Sequence, residues 1–211
     1  MDTYNTYIAG LQKEKNAIVR EMEKFAEEHH IPIMESGAIE TFLGLLSIQN
    51  PTHILEIGSA IGYSAIRMAQ SLPDVSVTTI ELHSERYKKA VEFIKAAGLE
   101  ERIQIIEADA LEVDADRVLG KTYDALFIDA AKGQYKRFFE KYSPAIDVGG
   151  VIYCDNMFMH GMVLQEDAEI PRRKRTMIRN IKEFTGWVMT NPNYDTTLLP
   201  VGDGILIAIK K

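Results

Sequence analysis

Short apolar runs alternate with longer amphipathic stretches along most of the chain. The runs occupy residues 53–57, 75–80, 103–107, 125–128 and 150–154 and are rich in Ile, Val and Leu. Brief runs without polar alternation predict parallel strands covered on both faces. Between them, residues 63–70, 84–97, 110–119 and 134–142 carry helical patterns. Strand–helix alternation of this kind predicts right-handed βαβ units and a doubly wound α/β sheet. Ahead of the first strand the chain reads as helix. Residues 14–29 are charged and amphipathic, Ile31-Pro32-Ile33 interrupts them, and residues 35–47 resume the pattern. This amino-terminal segment, residues 1–50, is expected to pack on the domain formed by residues 51–211. After a long helix over 171–189, the last runs at 194–199 and 205–209 are joined by Pro200-Val-Gly-Asp-Gly204, which is hairpin chemistry. The expected sheet is seven-stranded and mostly parallel, with an antiparallel carboxyl-terminal hairpin.

Composition narrows the setting. A chain of 211 residues suits one domain, and a domain of that size buries roughly 70% of the surface its unfolded chain exposes. Cys154 is the single cysteine, so no intrachain disulfide can form and a reducing compartment is expected. The amino terminus lacks a basic stretch followed by an apolar run, so no secretory signal is expected. No apolar stretch reaches the roughly 18 residues of a membrane span, so the expectation is a soluble, cytoplasmic protein without a membrane partner. A formal charge of −7 argues against broad nucleic-acid affinity, although a local basic patch can override it.

In open α/β sheets, ligands sit beyond the carboxyl ends of the strands. The first run ends in LEIGSAIGYSA, with Glu56, Gly58 and Gly62. Its spacing, Glu-x-Gly-x-x-x-Gly, differs from the dinucleotide fingerprint Gly-x-Gly-x-x-Gly, in which a helix amino terminus faces a pyrophosphate. S-adenosylmethionine has no phosphate and needs only close backbone approach plus an acid, such as Glu56, for its charged amino end. A glycine pair alone is an ordinary strand–helix turn. Two further acids change that. Thr79-Ile80-Glu81 ends the second run and places Glu81 to take ribose hydroxyls, and Glu107-Ala108-Asp109-Ala110 follows the third, where Asp109 can accept from an adenine amino group.

Through Pro32-Ile-Met-Glu35, LEIGSAIGYSA, TIEL, EADA, IDAAKGQY and YCDNM, the chain resembles the catechol and caffeoyl-CoA O-methyltransferases along essentially all of its length. Within that family the likeness points to bacterial enzymes that methylate 5-hydroxyuridine at the tRNA wobble position. The resemblance implies the Rossmann-like, class I S-adenosylmethionine-dependent methyltransferase fold. It also implies that Met34 and Ser64 line the cofactor pocket, with Ser59, Tyr63, Ala110 and Asp129 as further candidates. A homodimer, with amino-terminal helices near the active site, is implied as well.

The fourth run leads into Asp129-Ala-Ala-Lys132 and the fifth into Asp155-Asn156. Strands ending at one sheet edge would bring three oxygen ligands together: Asp129, Asp155 and Asn156. All-oxygen ligation suits Mg²⁺, with Mn²⁺ a workable substitute, and argues against Zn²⁺. Two positions left open on such an ion would chelate a substrate with vicinal oxygens, and Lys132 is the candidate base for the hydroxyl proton. Each of these residues alone would be a cap, a turn or a surface charge. Cys154, pointing opposite to Asp155, is expected in the core. His29 and His30 are expected to be structural or exposed, and Trp187 to pack.

The acceptor is less legible. Arg172, Arg175, Arg179 and Lys182 are spaced as one helical stripe, joined by Arg173 and Lys174, with Met177, Ile178, Ile181, Phe184 and Val188 on the opposite face. Such a stripe is either a solvated helix face or a guide for an RNA backbone. 5-Hydroxyuridine has the two-oxygen bite of a catechol, and an anticodon loop offers unpaired bases. The reading taken is tRNA 5-hydroxyuridine methylation. Its rival is a small-molecule catechol or hydroxycinnamoyl acceptor. A cofactor-binding regulator would have no need of the base and metal set, and a nicotinamide dehydrogenase is disfavoured by the glycine spacing.

Overall fold

In the computed structural model the described residues are 7–8, 10–11, 14–113, 118 and 120–211. Helix α1 (Ala17–Glu28) starts at Asn16, whose side chain accepts from the Val19 amide at 3.0 Å and so satisfies one donor of the exposed first turn. Helix α2 (Ser36–Gln49) ends at Asn50, which takes the left-handed conformation that asparagine tolerates well. Both helices fall within a few residues of their expected ranges. Of the helix expected over 110–119, residues 110–113 instead form turns and a bend and Val118 is helical, while 114–117 and 119 lie outside the described residues.

Strands β1 (His53–Ile57), β2 (Ser76–Glu81), β3 (Ile103–Glu107), β4 (Tyr123–Ile128) and β5 (Ile146–Cys154) pair in parallel. Strands β6 (Tyr194–Leu199) and β7 (Ile205–Lys210) form the expected hairpin. The sheet order is β3-β2-β1-β4-β5-β7-β6. Strand β7 inserts between β5 and β6 and is antiparallel to both, so it alone runs against the rest. The chain winds outward in opposite directions from the β1–β4 pair, which puts the ligand crevice beyond the ends of those two strands.

Period-two alternation gives the sheet two apolar faces. Ile54, Val77, Phe127 and Tyr153 pack under α1, α2, α3 (Tyr63–Ser71) and α4 (Ser84–Ala96). Leu55, Leu126, Ile152 and Cys154 pack under α5 (Tyr135–Tyr142) and α6 (Arg175–Met189). Phe42 of α2 stacks on Phe127 with ring centres 4.4 Å apart and meets Tyr153 edge-on at 5.1 Å, fixing the amino-terminal segment to the sheet. On the other face Trp187 meets Phe139 edge-on at 5.6 Å, the packing role expected of it.

Three element boundaries differ from the sequence pattern. Strand β5 begins at Ile146, ahead of the apolar run, because Gly149 (φ +83) and Gly150 sit inside it; a Cβ on Gly150 would meet the Asp124 carbonyl oxygen of β4 at 2.8 Å. Helix α5 is preceded by a 3₁₀ turn, Lys132–Gln134. Another 3₁₀ turn, Arg172–Lys174, precedes α6, so Arg172, Arg173 and Lys174 are not on the α-helix that the pattern predicts. Among the described residues no helix is long and apolar enough to cross a membrane.

Candidate active site

A cavity of about 490 Å³ opens beyond β1 and β4. Met34, Gly58, Ser59, Tyr63, Ser64, Glu81, Asp109, Ala110, Asp129, Lys132, Asp155 and Asn156 all line it. Side chains from separate strand ends and from the segment before α2 thus meet in one place, as the sheet topology requires.

The β1–α3 loop forms one wall. Gly58 has φ +95, and a Cβ there would overlap the Asp129 backbone carbonyl, so only glycine lets this loop pass the end of β4. Glu81 pins the loop from β2: one carboxylate oxygen accepts from the Ala60 amide at 2.8 Å and the other from the His83 amide at 2.8 Å. Asp109 is exposed at the cavity rim and accepts from the Leu111 amide at 2.8 Å. Tyr63 contributes to the wall, but its hydroxyl points away and donates to Glu23 of α1 at 2.6 Å. Burial, with that bond, pushes the phenol well above its usual range.

Glu56 departs from expectation. It does not line the cavity and is wholly buried. One of its oxygens accepts from the Ser64 hydroxyl and the other from the Thr79 hydroxyl at 2.5 Å. Burial pushes its carboxyl up to about 7, against the two hydroxyl donors. Strand alternation explains the correction: Ile57 and Leu55 face one core and Glu56 faces the other, beneath the loop. Sequence reasoning missed Thr79, although its place two residues before Glu81 puts it on the same sheet face as that acid.

The second wall carries the oxygen set. Asp155 is 2% exposed, and its Oδ1 is buried without a hydrogen-bond partner. Burial and the neighbouring charge of Asp129 push the Asp155 carboxyl up. The Lys132 ammonium pairs with Asp129 Oδ1, and Tyr135 donates its hydroxyl to the Asp155 carbonyl at 2.8 Å. Asn156 has φ +58. A buried carboxylate oxygen with no donor beside a second carboxylate is costly unless a cation joins them. Two carboxylates and an amide fit a hard divalent ion that retains open positions. Among the described residues no cluster of three or more His, Cys, Asp or Glu side chains gathers.

Asp203, which the sequence analysis did not single out, lines the same cavity from the β6–β7 turn. Its turn chemistry, Gly-Asp-Gly, was the available signal. Cys154 is buried in the core, and His29 and His30 are exposed, all as expected. Beside the cavity lies a groove of about 790 Å³ that shares Glu35, His160 and Asp203 with it, and Phe158, Leu164, Leu198 and Pro200 help wall it. The basic residues are unequal. Arg175 donates to the Ile170 carbonyl at 3.0 Å and Lys182 to the Gln165 carbonyl at 3.2 Å, both tying down the preceding loop. Arg179 lies 3.9 Å from Glu183. Arg172 and Arg173 are exposed.

The sequence pattern of O-methyltransferases matches residues 10–211. The chain belongs to the O-methyltransferase family. This methyltransferase is 32% identical over 185 residues to the tapetum-specific methyltransferase 1 of Arabidopsis thaliana, covering 85% of this chain and 77% of that protein. It is 32% identical over 199 residues to caffeoyl-CoA O-methyltransferase 2 of Populus trichocarpa, covering 90% and 80%. Its fold superimposes on that of a Staphylococcus aureus protein assigned as a caffeoyl-CoA O-methyltransferase, with a TM-score of 0.93, 34% identity and full coverage of both chains. An O-methyltransferase from Bacillus cereus, in complex with SAH, gives a TM-score of 0.84 at 25% identity, covering 98% of this chain and 96% of that one. The mixed sheet with its reversed β7 is thus the Rossmann-like fold of the S-adenosylmethionine-dependent methyltransferases. The narrower likeness to tRNA-methylating enzymes has no counterpart among the relatives named here.

Proposed function

We propose that this methyltransferase moves the methyl group of S-adenosylmethionine to one of two neighbouring oxygens on a small acceptor of the catechol or caffeoyl type, with Mg²⁺ held by Asp129, Asp155 and Asn156. The observation that carries this reading is the unpartnered, buried carboxylate oxygen of Asp155, a residue that lines the cavity together with the Gly58–Ser64 loop. Held by those three residues, Mg²⁺ would supply Lewis-acid chemistry that eases loss of the acceptor's hydroxyl proton, and Mn²⁺ would suit the same oxygen set.

The chain's own residues do the rest. Gly58 and Ser59 bring backbone close to the amino-acid end of the donor. Glu81 keeps lone pairs for the ribose hydroxyls, and Asp109 and Ala110 border the adenine. Met34 and Tyr63 close the cavity around the sulfur. Lys132 pairs with Asp129 as the ammonium in the free site and would take the acceptor's hydroxyl proton at Nζ only as the neutral amine, once Asp129 is engaged by the cation. The sulfur–carbon bond breaks as the oxygen–carbon bond forms, so holding the two reactants in line supplies much of the acceleration. The apolar groove beside the cavity suits an aromatic acceptor body. The caffeoyl-CoA enzymes among the relatives support the same class.

A second reading keeps the chemistry and changes the acceptor to 5-hydroxyuridine in a tRNA anticodon loop. Exposed Arg172 and Arg173 favour it, because phosphate contacts need free cations. Both readings are separated by incubating the protein with Mg²⁺, methyl-labelled S-adenosylmethionine and either a caffeoyl thioester or tRNA bearing 5-hydroxyuridine. Label is expected in the thioester; label entering only tRNA would replace the first reading with the second. Charge reversal of Arg172 and Arg173 would then lower tRNA methylation selectively, whereas Arg175 is unsuitable because it holds the loop. A homodimer is proposed alongside, to be read by sedimentation.

A further inference from the structure

The groove beside the cavity is charged unevenly. Glu35, His160 and Asp203 line both spaces and so stand where the two join. Lys182, Thr185 and Gly186 of α6 line the groove but not the cavity, so they stand beyond that junction. Phe158 and Leu198 are among the residues that make its wall apolar. Of the residues lining the groove, Lys182 is the one lysine or arginine. Its ammonium has three protons to donate, and one goes to the Gln165 carbonyl at 3.2 Å. Among the described residues no carboxylate pairs with it; the adjacent Glu183 lies 3.9 Å from Arg179 instead. At about 790 Å³ the groove has the size of a small-molecule site.

Given the acceptor chemistry proposed above, on which this inference rests, a ring substituent that extends into the groove passes Glu35 and Asp203 first. The charges along that path sort the substituents. A carboxylate attached directly to the ring would stop beside the two acids and be repelled. Carried on a short arm, it passes them and meets the remaining protons of Lys182, while the apolar wall takes the arm itself. An ammonium on the same arm would meet like charge there. A carrier with several phosphates would bring more negative charge than one lysine answers. We propose that the acceptor is a catechol with a short apolar arm ending in a carboxylate, and that Lys182 sets this specificity by pairing with that carboxylate.

The test compares three acceptors in steady-state methyl transfer with Mg²⁺: catechol, dihydrocaffeate with its propanoate arm, and dopamine, whose similar arm ends in an ammonium. The unmodified protein should show its lowest KM for dihydrocaffeate. Lys182→Met should raise that KM about threefold to fivefold, the upper scale of an exposed charge pair, with kcat and the catechol KM nearly unchanged. Lys182→Glu should raise it further and lower the KM for dopamine. Lys182→Arg keeps the cation and should leave the dihydrocaffeate KM nearly unchanged. A loss that came only from loosening the Gln165 contact would not follow the sign of charge on the arm. Equal effects of Lys182→Met on catechol and dihydrocaffeate, or a preference of the unmodified protein for dopamine, would overturn the proposal. So would a loss seen with caffeoyl-coenzyme A and not with dihydrocaffeate, which would assign Lys182 to a carrier phosphate. Absence of transfer to catechol itself would overturn the acceptor assignment, and this inference with it; transfer to catechol without a preference for dihydrocaffeate would overturn this inference alone.

Discussion

The backbone amide of His160 donates to Asp203 Oδ1 at 2.6 Å. With the Phe158 amide donating to the Asp203 carbonyl at 2.7 Å, this bond fastens the stretch after Asn156 to the β6–β7 turn. The flanking glycines make the turn possible: Gly202 and Gly204 have φ of +57 and +91, and a Cβ on Gly204 would meet the Phe158 ring at 2.8 Å. Asp203→Ala leaves the His160 amide without its acceptor and should destabilise the protein by about 1–3 kcal/mol in denaturant unfolding. Asp203→Asn keeps an acceptor oxygen there and should cost clearly less. Equal losses would show that the bond does not hold the loop.

Glu56 also gives stability a pH signature. Burial pushes its carboxyl up to about 7 from an ordinary 4.5. The folded protein therefore holds this proton more tightly than the unfolded chain does. The resulting stabilisation is complete below about 4.5 and is lost as pH rises through about 7. In cofactor-free, metal-free protein, the unmodified chain should lose more stability than Glu56→Gln between pH 5 and pH 8, by about 3 kcal/mol at most. Parallel stability curves for the two proteins would contradict this.

Lys132 is held at the cavity by Asp129. Lys132→Met should lower kcat about 10²–10⁴-fold, the range of a positioned base, and leave S-adenosylhomocysteine affinity within about threefold. Retained turnover would remove Lys132 from the proton transfer.

Apolar periodicity made the fold legible, because parallel strands covered on both faces must be short and apolar and their helices amphipathic. Strand-end chemistry located Asp129, Asp155, Asn156, Glu81 and the Gly58–Ser64 loop at one edge, and the structure brings them around one cavity. Four features were not legible, each for a physical reason. Glu56 sits beneath the wall because its direction depends on the pleat, which a motif does not encode. The start of β5 was hidden by Gly149 and Gly150, which mimic a turn yet lie inside the strand, at the irregularity between the Ile146 and Val151 pairings with β4. The basic stripe assumed an unbroken α-helix, whereas the chain enters α6 through a 3₁₀ turn and spends Arg175 and Lys182 on loop carbonyls. Asp203 was hidden because its partners lie more than forty residues away in sequence.

Cation dependence of methyl transfer tests the central claim most directly. Turnover of a catechol acceptor would be followed before and after stripping with EDTA, and again after Mg²⁺ is restored, in the unmodified protein and in Asp155→Ala. Stripping should lower turnover about a hundredfold or more, Mg²⁺ should restore it in the unmodified protein, and Asp155→Ala should stay inactive throughout. Undiminished turnover in EDTA, or full activity in the Asp155 variant, would contradict a reaction organised by Asp129, Asp155 and Asn156.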